Sequence, residues 1–217
     1  CSPERKVFAA HSLAFLARDD TENRQSIADE GGIEYLIELL RDGSPRGKEE
    51  AAGALNSLAN DDAIQVRIEN EGGIKPLIDL LRVDEGKENA AAALRRLARN
   101  NSNQFKIEEE GALPPLIELL RYGSTDEKGM AADAIQNISF GVDSIQVKLA
   151  NKDAPEAGAI PPLIELLKDG SPETKGMAAG AVANIALNED NRVIVAKQGG
   201  IPPLIKLVKE GTPKARL

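Results

Sequence analysis

Tryptophan is absent from the 217 residues, cysteine and histidine occur once each, and only four Phe and two Tyr are present. A single cysteine, Cys1, allows no internal disulfide and no cysteine-based metal cage. A single histidine, His11, allows no His-x-x-x-His zinc motif, no Cys–His pair is read, and no carboxylate on its own helix stands ready to orient it. With aromatics at 3% the core must be built from Leu, Ile, Val and Ala, a composition suited to closely packed helices. Uncharged apolar runs such as 176–183 fall far short of a membrane span, so direct membrane insertion is not expected. No charged-then-apolar leader is read at the start, and the expected location is cytoplasmic, or nuclear. The 27 basic and 35 acidic residues give a net charge of −8, which repels a phosphate backbone. Nucleic-acid binding is therefore not expected, although a local basic stripe would survive that average.

What the chain does contain is one phrase written five times. GGIEYLIELL at 31–40 returns as GGIKPLIDLL (72–81), GALPPLIELL (111–120), GAIPPLIELL (158–167) and GGIPPLIKLV (199–208). The starting glycines lie 41, 39, 47 and 41 residues apart. A period of roughly 40 residues marks a stack of helical units, none of which buries its apolar side alone.

The unit at 61–100 shows the local logic. Ile64 and Ile68 are four apart on a first helix that ends at Gly72-Gly73, where glycine supplies a left-handed closing conformation. A second helix starts at Ile74-Lys75-Pro76, with proline in the first turn, where its missing N–H costs little. Leu77, Ile78, Leu80 and Leu81 cover more than half of its circumference, so it is buried. A longer third helix is predicted from about Asp84 to Arg99. Gly43-Ser44-Pro45, Gly170-Ser171-Pro172 and Gly211-Thr212-Pro213 each place a C-terminal glycine, an N-cap hydroxyl and a helix-opening proline in order. Ser124 and Glu127 have capping-box spacing, and Ser2-Pro3 is in the same phase. Third helices align through Leu13–Ala17, Leu55–Ala59, Leu94–Ala98, Ile135–Ser139 and Val182–Ala186, and upstream alanines let backbones approach.

Two short helices and a long one, with a Gly-[Gly/Ala]-Ile-Pro-Pro-Leu-Ile-x-Leu-Leu core and an Ala-Leu-x-Asn-Leu-Ala-like third helix, closely resemble the armadillo repeat. Within that family the long arrays of armadillo-only scaffolds, such as vacuole-associated armadillo proteins, look nearer than importin-α or β-catenin. The resemblance covers the whole chain and implies an all-α fold, a right-handed α-α superhelix or armadillo-repeat solenoid. One array is expected over 1–217: a third helix at 3–18, full repeats at about 21–60, 61–100, 101–140 and 141–187, and a partial repeat at 188–217. Both ends fall inside a repeat, so a fragment of a longer chain is expected, with self-association through an uncapped C-terminal end exposing Leu204, Leu207 or Val208. The 47-residue spacing places about five extra residues at 151–155, read as a loop.

The resemblance also implies a function: in armadillo proteins the third helices line a concave groove that holds an extended peptide through an asparagine near the end of each. An asparagine amide both donates and accepts, so it can grip a peptide backbone. Stacked helices are roughly 8–10 Å apart, and two residues of extended chain span roughly 6.6 Å. By alignment the ladder position is Phe15, Ser57, Arg96, Asn137 and Asn184, of which the last two match the family. Four residues earlier stand His11, Gly53, Ala92, Asp133 and Gly180, with no Trp, so basic nuclear-localisation signals are not the expected cargo. Glu49, Glu50, Asn89, Arg99, Met130 and Met177 share the stripe, and Arg96 with Arg99 would pair with acidic partner side chains. The candidate peptide-binding residues are thus Asn137, Asn184, Ser57, Arg96, Arg99, Asp133, Glu50 and Asn89. Against this stands a plainer reading, in which the same residues form an ordinary solvated face. No catalytic constellation, cofactor motif or metal site is read, and an enzyme is not expected. Two alternatives to a scaffold stay open: a substrate-docking segment of a larger enzyme, such as an armadillo-containing ubiquitin ligase, and a structural spacer.

Overall fold

A computed structural model describes residues 2–150 and 158–210, and every element in them is an α helix. The extra residues at 151–155 and the Gly211-Thr212-Pro213 break lie outside the described residues. The chain divides into two compact units, Cys1–Glu110 and Gly111–Leu217.

The first unit runs α1 (Pro3–Arg18), α2 (Thr21–Asp29), α3 (Gly32–Asp42), α4 (Pro45–Leu58), α5 (Asp62–Asn70), α6 (Ile74–Leu80), α7 (Lys87–Leu97) and α8 (Asn101–Glu109). The long helices α1, α4 and α7 are stacked in that order, α3 packs on α4, and α6 packs on α7. The core is aliphatic: Ile33, Leu36, Ile37 and Leu40 from α3 meet Leu55 and Leu58 from α4, and α6 and α7 repeat the pattern with Leu77, Ile78, Leu94 and Leu97. Burying each such side chain contributes roughly 1.5–3 kcal/mol. Ala51, Ala52, Ala54 and all of Ala90–Ala93 are buried, so short side chains surround much of α4 and α7, which pack against each other.

The second unit runs α9 (Leu113–Tyr122), α10 (Thr125–Ser139), α11 (Asp143–Ala150), α12 (Ile160–Asp169), α13 (Pro172–Ile185), α14 (Glu189–Lys197) and α15 (Ile201–Glu210). The long helices α10 and α13 pack along each other, with α9 on α10 and α12 on α13. A Cβ on Gly129 would lie 2.7 Å from Thr174 Cγ2, so this glycine marks a point of close helix contact. In α15 Leu207 is buried and Leu204 half-buried, whereas Val208 is 67% exposed.

Helix ends follow the local chemistry read in the sequence. Gly31, Gly72, Gly111 and Gly199 have φ between 75° and 83°, the left-handed region that closes a helix. Ser44 and Ser171 accept from the backbone N–H three residues on, and Ser124 with Glu127 forms a complete capping box. α1 begins at Pro3 after Ser2, as expected, although the Ser2 side chain makes no capping bond. α7 differs from expectation: it spans Lys87–Leu97 rather than about Asp84 to Arg99, and Gly86 at φ 86° turns the chain immediately before it.

No core position is aromatic: all six Phe and Tyr rings are exposed. Phe8 and Phe15 stand on the long helix α1, and Phe140 follows the end of α10.

Candidate peptide-binding face

In α4, Glu50, Gly53 and Ser57 recur at three- and four-residue spacing, which aligns them on one side of the helix, and Asn60 follows in the turn just past its end. The first three are half-buried and Asn60 is exposed, while Ala51, Ala52, Leu55 and Leu58 on the other side are buried. The equivalent line on α1 is Phe8, His11, Phe15 and Arg18, and on α7 it is Asn89, Ala92 and Arg96, continued by Arg99 just past the helix end. Asn89 and Arg96 are half-buried, Arg99 is exposed, and Ala92 is buried. Thus the first unit carries Glu50, Ser57, Asn89 and Arg96 on its stacked long helices, with Arg99 just past the end of α7.

His11 finds there the carboxylate that its own helix lacks. Its Nδ1 donates to Glu50 Oε2 at 2.8 Å. The same ring meets Phe15 edge-on at 4.9 Å, and Arg18 lies over Phe15 at 4.7 Å from its centroid. Phe15, at the ladder position, is therefore held between an imidazole and a guanidinium. Further along, Asn89 Nδ2 donates to the Glu49 carbonyl at 3.2 Å and ties α7 to α4. Ser57 lies half-buried two turns further along α4.

Arg96 donates through its guanidinium to Asn60 Oδ1, again joining α7 to the end of α4. Its pKa is pushed below the usual arginine value, first by burial and then by the positive charges of Arg95, Arg99 and Arg24. Arg24, on α2, donates to the carbonyls of Ala17 and Arg18 at the end of α1 and to Thr21 Oγ1. Among the described residues, Arg24, Arg96 and Arg99 form no ion pair.

In the second unit Asn137 and Asn184 occupy equivalent places on α10 and α13, both half-buried. Asn137 Nδ2 donates to the Asp133 carbonyl one turn back, at 3.0 Å, and Asp133 is itself half-buried. Asn184 Nδ2 instead crosses to α10 and donates to the Gln136 carbonyl at 2.7 Å. Gln136 lies over Gly180, where a Cβ would collide with its side-chain amide. Met130 and Met177 are half-buried on the same side. Among the described residues, no group of three His, Cys, Asp or Glu side chains is placed to hold a metal ion.

A second set of amides was not singled out by the sequence reading. Gln65, Asn103, Gln146 and Asn191 are buried on the first helices of their units. Gln65 donates to the Ala59 carbonyl and Gln146 to that of Ser139, closing the ends of α4 and α10. Asn103 donates to the carbonyls of Leu97 and Gln65, and Asn191 to those of Ile185 and Gln146. The carbonyls of Ala59, Leu97, Ser139 and Ile185 lie at the ends of long helices, where no following turn of the same helix supplies an N–H, whereas those of Gln65 and Gln146 lie within α5 and α11. The sequence signal is an amide three or four residues after a capping Asp or Asn, as in Asp61–Gln65, Asn100–Asn103 and Asn188–Asn191. Arg24 takes this role on α2. A comparable device uses arginine on the second helices: Arg41 donates to the Gly72 carbonyl and Arg121 to that of Gly158.

The profile of the armadillo/β-catenin-like repeat matches residues 20–59 and 153–187. No curated protein matches the sequence. Among solved structures, an engineered protein is 30% identical, with a TM-score of 0.89, over 98% of this chain and 88% of its own. A designed armadillo repeat protein is 32% identical, with a TM-score of 0.88, over 97% of this chain and 88% of its own. A further designed armadillo repeat protein, solved in complex with the peptide (KR)4, is 31% identical, with a TM-score of 0.85, over 96% of this chain and 87% of its own. The fold is an all-α armadillo-repeat solenoid, and this chain belongs to the armadillo-repeat family.

Proposed function

We propose that the chain is a scaffold that holds an extended segment of a partner protein along the concave face lined by its third helices. The observation that carries this reading is the placement of a half-buried polar side chain at the ladder position of α4, α7, α10 and α13, at Ser57, Arg96, Asn137 and Asn184. A buried side chain at those places would serve the core, and a fully solvated one would have no fixed direction. Asn184 is fixed by its bond to the Gln136 carbonyl, and its second N–H and its oxygen make no other bond among the described residues. A peptide backbone supplies one donor and one acceptor per residue to match. The peptide complex of the designed relative supports the same use of the fold.

Side-chain preference should differ from that relative's. Its peptide is (KR)4, whereas Arg96 here already suffers from three neighbouring cations. A peptide with acidic residues suits the first unit's face.

The test is a selection of displayed peptides on the intact chain, followed by titration of the selected peptide against an Asn137→Ala/Asn184→Ala variant. Affinity should fall by about 1–3 kcal/mol if hydrogen bonds to a peptide backbone are lost. Unchanged affinity, with the helical circular-dichroism signal intact, sinks the ladder role of these residues.

A further inference from the structure

Three guanidinium groups on the first unit's long-helix edge are positioned without being neutralised. Arg24 is anchored at the end of α1 by two carbonyls and the Thr21 hydroxyl. Arg96 is anchored at the end of α4 by Asn60, a neutral amide. Arg99 is exposed one turn beyond Arg96, past the end of α7. The Nε atoms of Arg24 and Arg96 are buried and have no hydrogen-bond partner. The charges that act on Arg96 are all positive, in a chain whose net charge is −8.

Helix ends account for part of this. The carbonyl ends of long helices carry partial negative charge, which favours cations nearby. That explains Arg24, which bonds to those carbonyls directly. It does not explain Arg96, which spends its donor on an uncharged oxygen, or Arg99, which bonds to nothing among the described residues. Holding like charges together costs free energy, and a bound anion would recover it.

We infer that this edge of the first unit receives a phosphorylated serine or threonine of an extended partner peptide, with the phosphate between Arg96, Arg99 and Arg24. The inference rests on the reading of the long-helix face as a peptide-binding surface. A phosphate carries a charge of about −1.5 to −2 and three acceptor oxygens, enough to engage several guanidinium forks. A carboxylate brings one charge and two oxygens, and leaves this cluster under-neutralised. A nucleic acid offers phosphates too, but the rest of the chain repels a polyanion.

The experiment uses the intact chain and three fluorescent peptide pools with degenerate flanks and a fixed central phosphoserine, serine or glutamate. An oligonucleotide of matched charge serves as a fourth probe. The phosphoserine pool should bind about tenfold or more tighter than the serine pool, the gap expected for one or two charge-assisted hydrogen bonds. It should also outbind the glutamate pool and the oligonucleotide. Arg96→Gln/Arg99→Gln should abolish that preference while thermal melting shows the fold kept. Arg46→Gln, exposed at the start of α4, should leave it intact. Equal binding of the three pools, tighter binding of the oligonucleotide, or a preference that survives Arg96→Gln/Arg99→Gln overturns the phosphate assignment. Equal binding that is still weakened by Asn137→Ala/Asn184→Ala overturns only that assignment and leaves the peptide face standing.

Discussion

Asn184 donates its side-chain amide to the backbone carbonyl of Gln136 at 2.7 Å, so a residue we propose to grip a peptide also fastens α13 to α10. Its two tasks are separable by measurement. Asn184→Ala should lower the unfolding free energy of the chain by about 1 kcal/mol, the usual value of one such bond, in addition to weakening a bound peptide. Urea titration reads the first effect and peptide titration the second. A variant that loses affinity with no loss of stability would show that the Gln136 bond is unimportant.

Two helical glycines should respond in opposite directions to alanine. At Gly53 a Cβ would meet only the Asn89 amide, at 3.4 Å, an ordinary contact. Gly53→Ala should therefore stabilise by roughly 0.5–1 kcal/mol, through helix propensity alone. At Gly129 the new methyl would press on Thr174 at 2.7 Å and Met177 at 3.2 Å, both on α13. Gly129→Ala should destabilise by about 1–3 kcal/mol, the usual cost of overpacking. Chemical denaturation of the two variants checks the contrast, and a shared sign would contradict it.

The buried amides on the first helices should be more sensitive than the half-buried ones on the long helices. Asn191 is 2% exposed and serves two carbonyls, on α13 and α11. Asn191→Ala leaves both acceptors without this donor and should cost about 1–3 kcal/mol. Amide hydrogen exchange of α11 and α14 is the local readout: protection there should drop, and unchanged protection would count against the role.

Arg96 gives a prediction with a sign. Burial and three cations depress its pKa in the folded state relative to the unfolded chain. A depressed base means that the charged form is disfavoured by folding. That cost is present at every pH below the folded pKa and is relieved only as pH rises through it toward the unfolded value. Arg96 is charged throughout the neutral range, so no pH dependence is expected there. Arg96→Gln should leave the melting temperature unchanged or raise it. Added salt should stabilise the native chain more than the variant, because it screens the repulsion. A melting temperature that falls, with a salt response that matches the native chain, would contradict this.

The parts of the fold that depend on residues a turn apart were legible in the sequence. Gly72 closes α5 in the left-handed conformation, Ser124 and Glu127 cap α10 reciprocally, and the Leu and Ile residues of the second, third and fourth copies of the repeated phrase enter the core, whereas Ile201 and Ile205 of the fifth are exposed. The start of α7, expected at about Asp84, lies at Lys87, where Gly86 sets the turn. The face was legible as a line of positions, since a period of roughly 40 residues carries the phase from helix to helix. Its interactions were not. His11 with Glu50, Asn89 with Glu49, Arg96 with Asn60 and Asn184 with Gln136 join residues 36 to 48 positions apart. Which amide reaches a neighbouring carbonyl depends on the rotation of one helix against the next, and that is fixed by packing rather than by local spacing. Arg24 shows the same limit, because only the end of α1 reveals it as a capping donor.

The most direct test of the account is chemical-shift mapping of a peptide selected by display on the intact chain. The account predicts perturbations along the long helices α4, α7, α10 and α13, including the side-chain amides of Asn137 and Asn184, with α3, α6, α9 and α12 left unchanged. Perturbations confined to those second helices, around exposed residues such as Tyr35 and Tyr122, would contradict it.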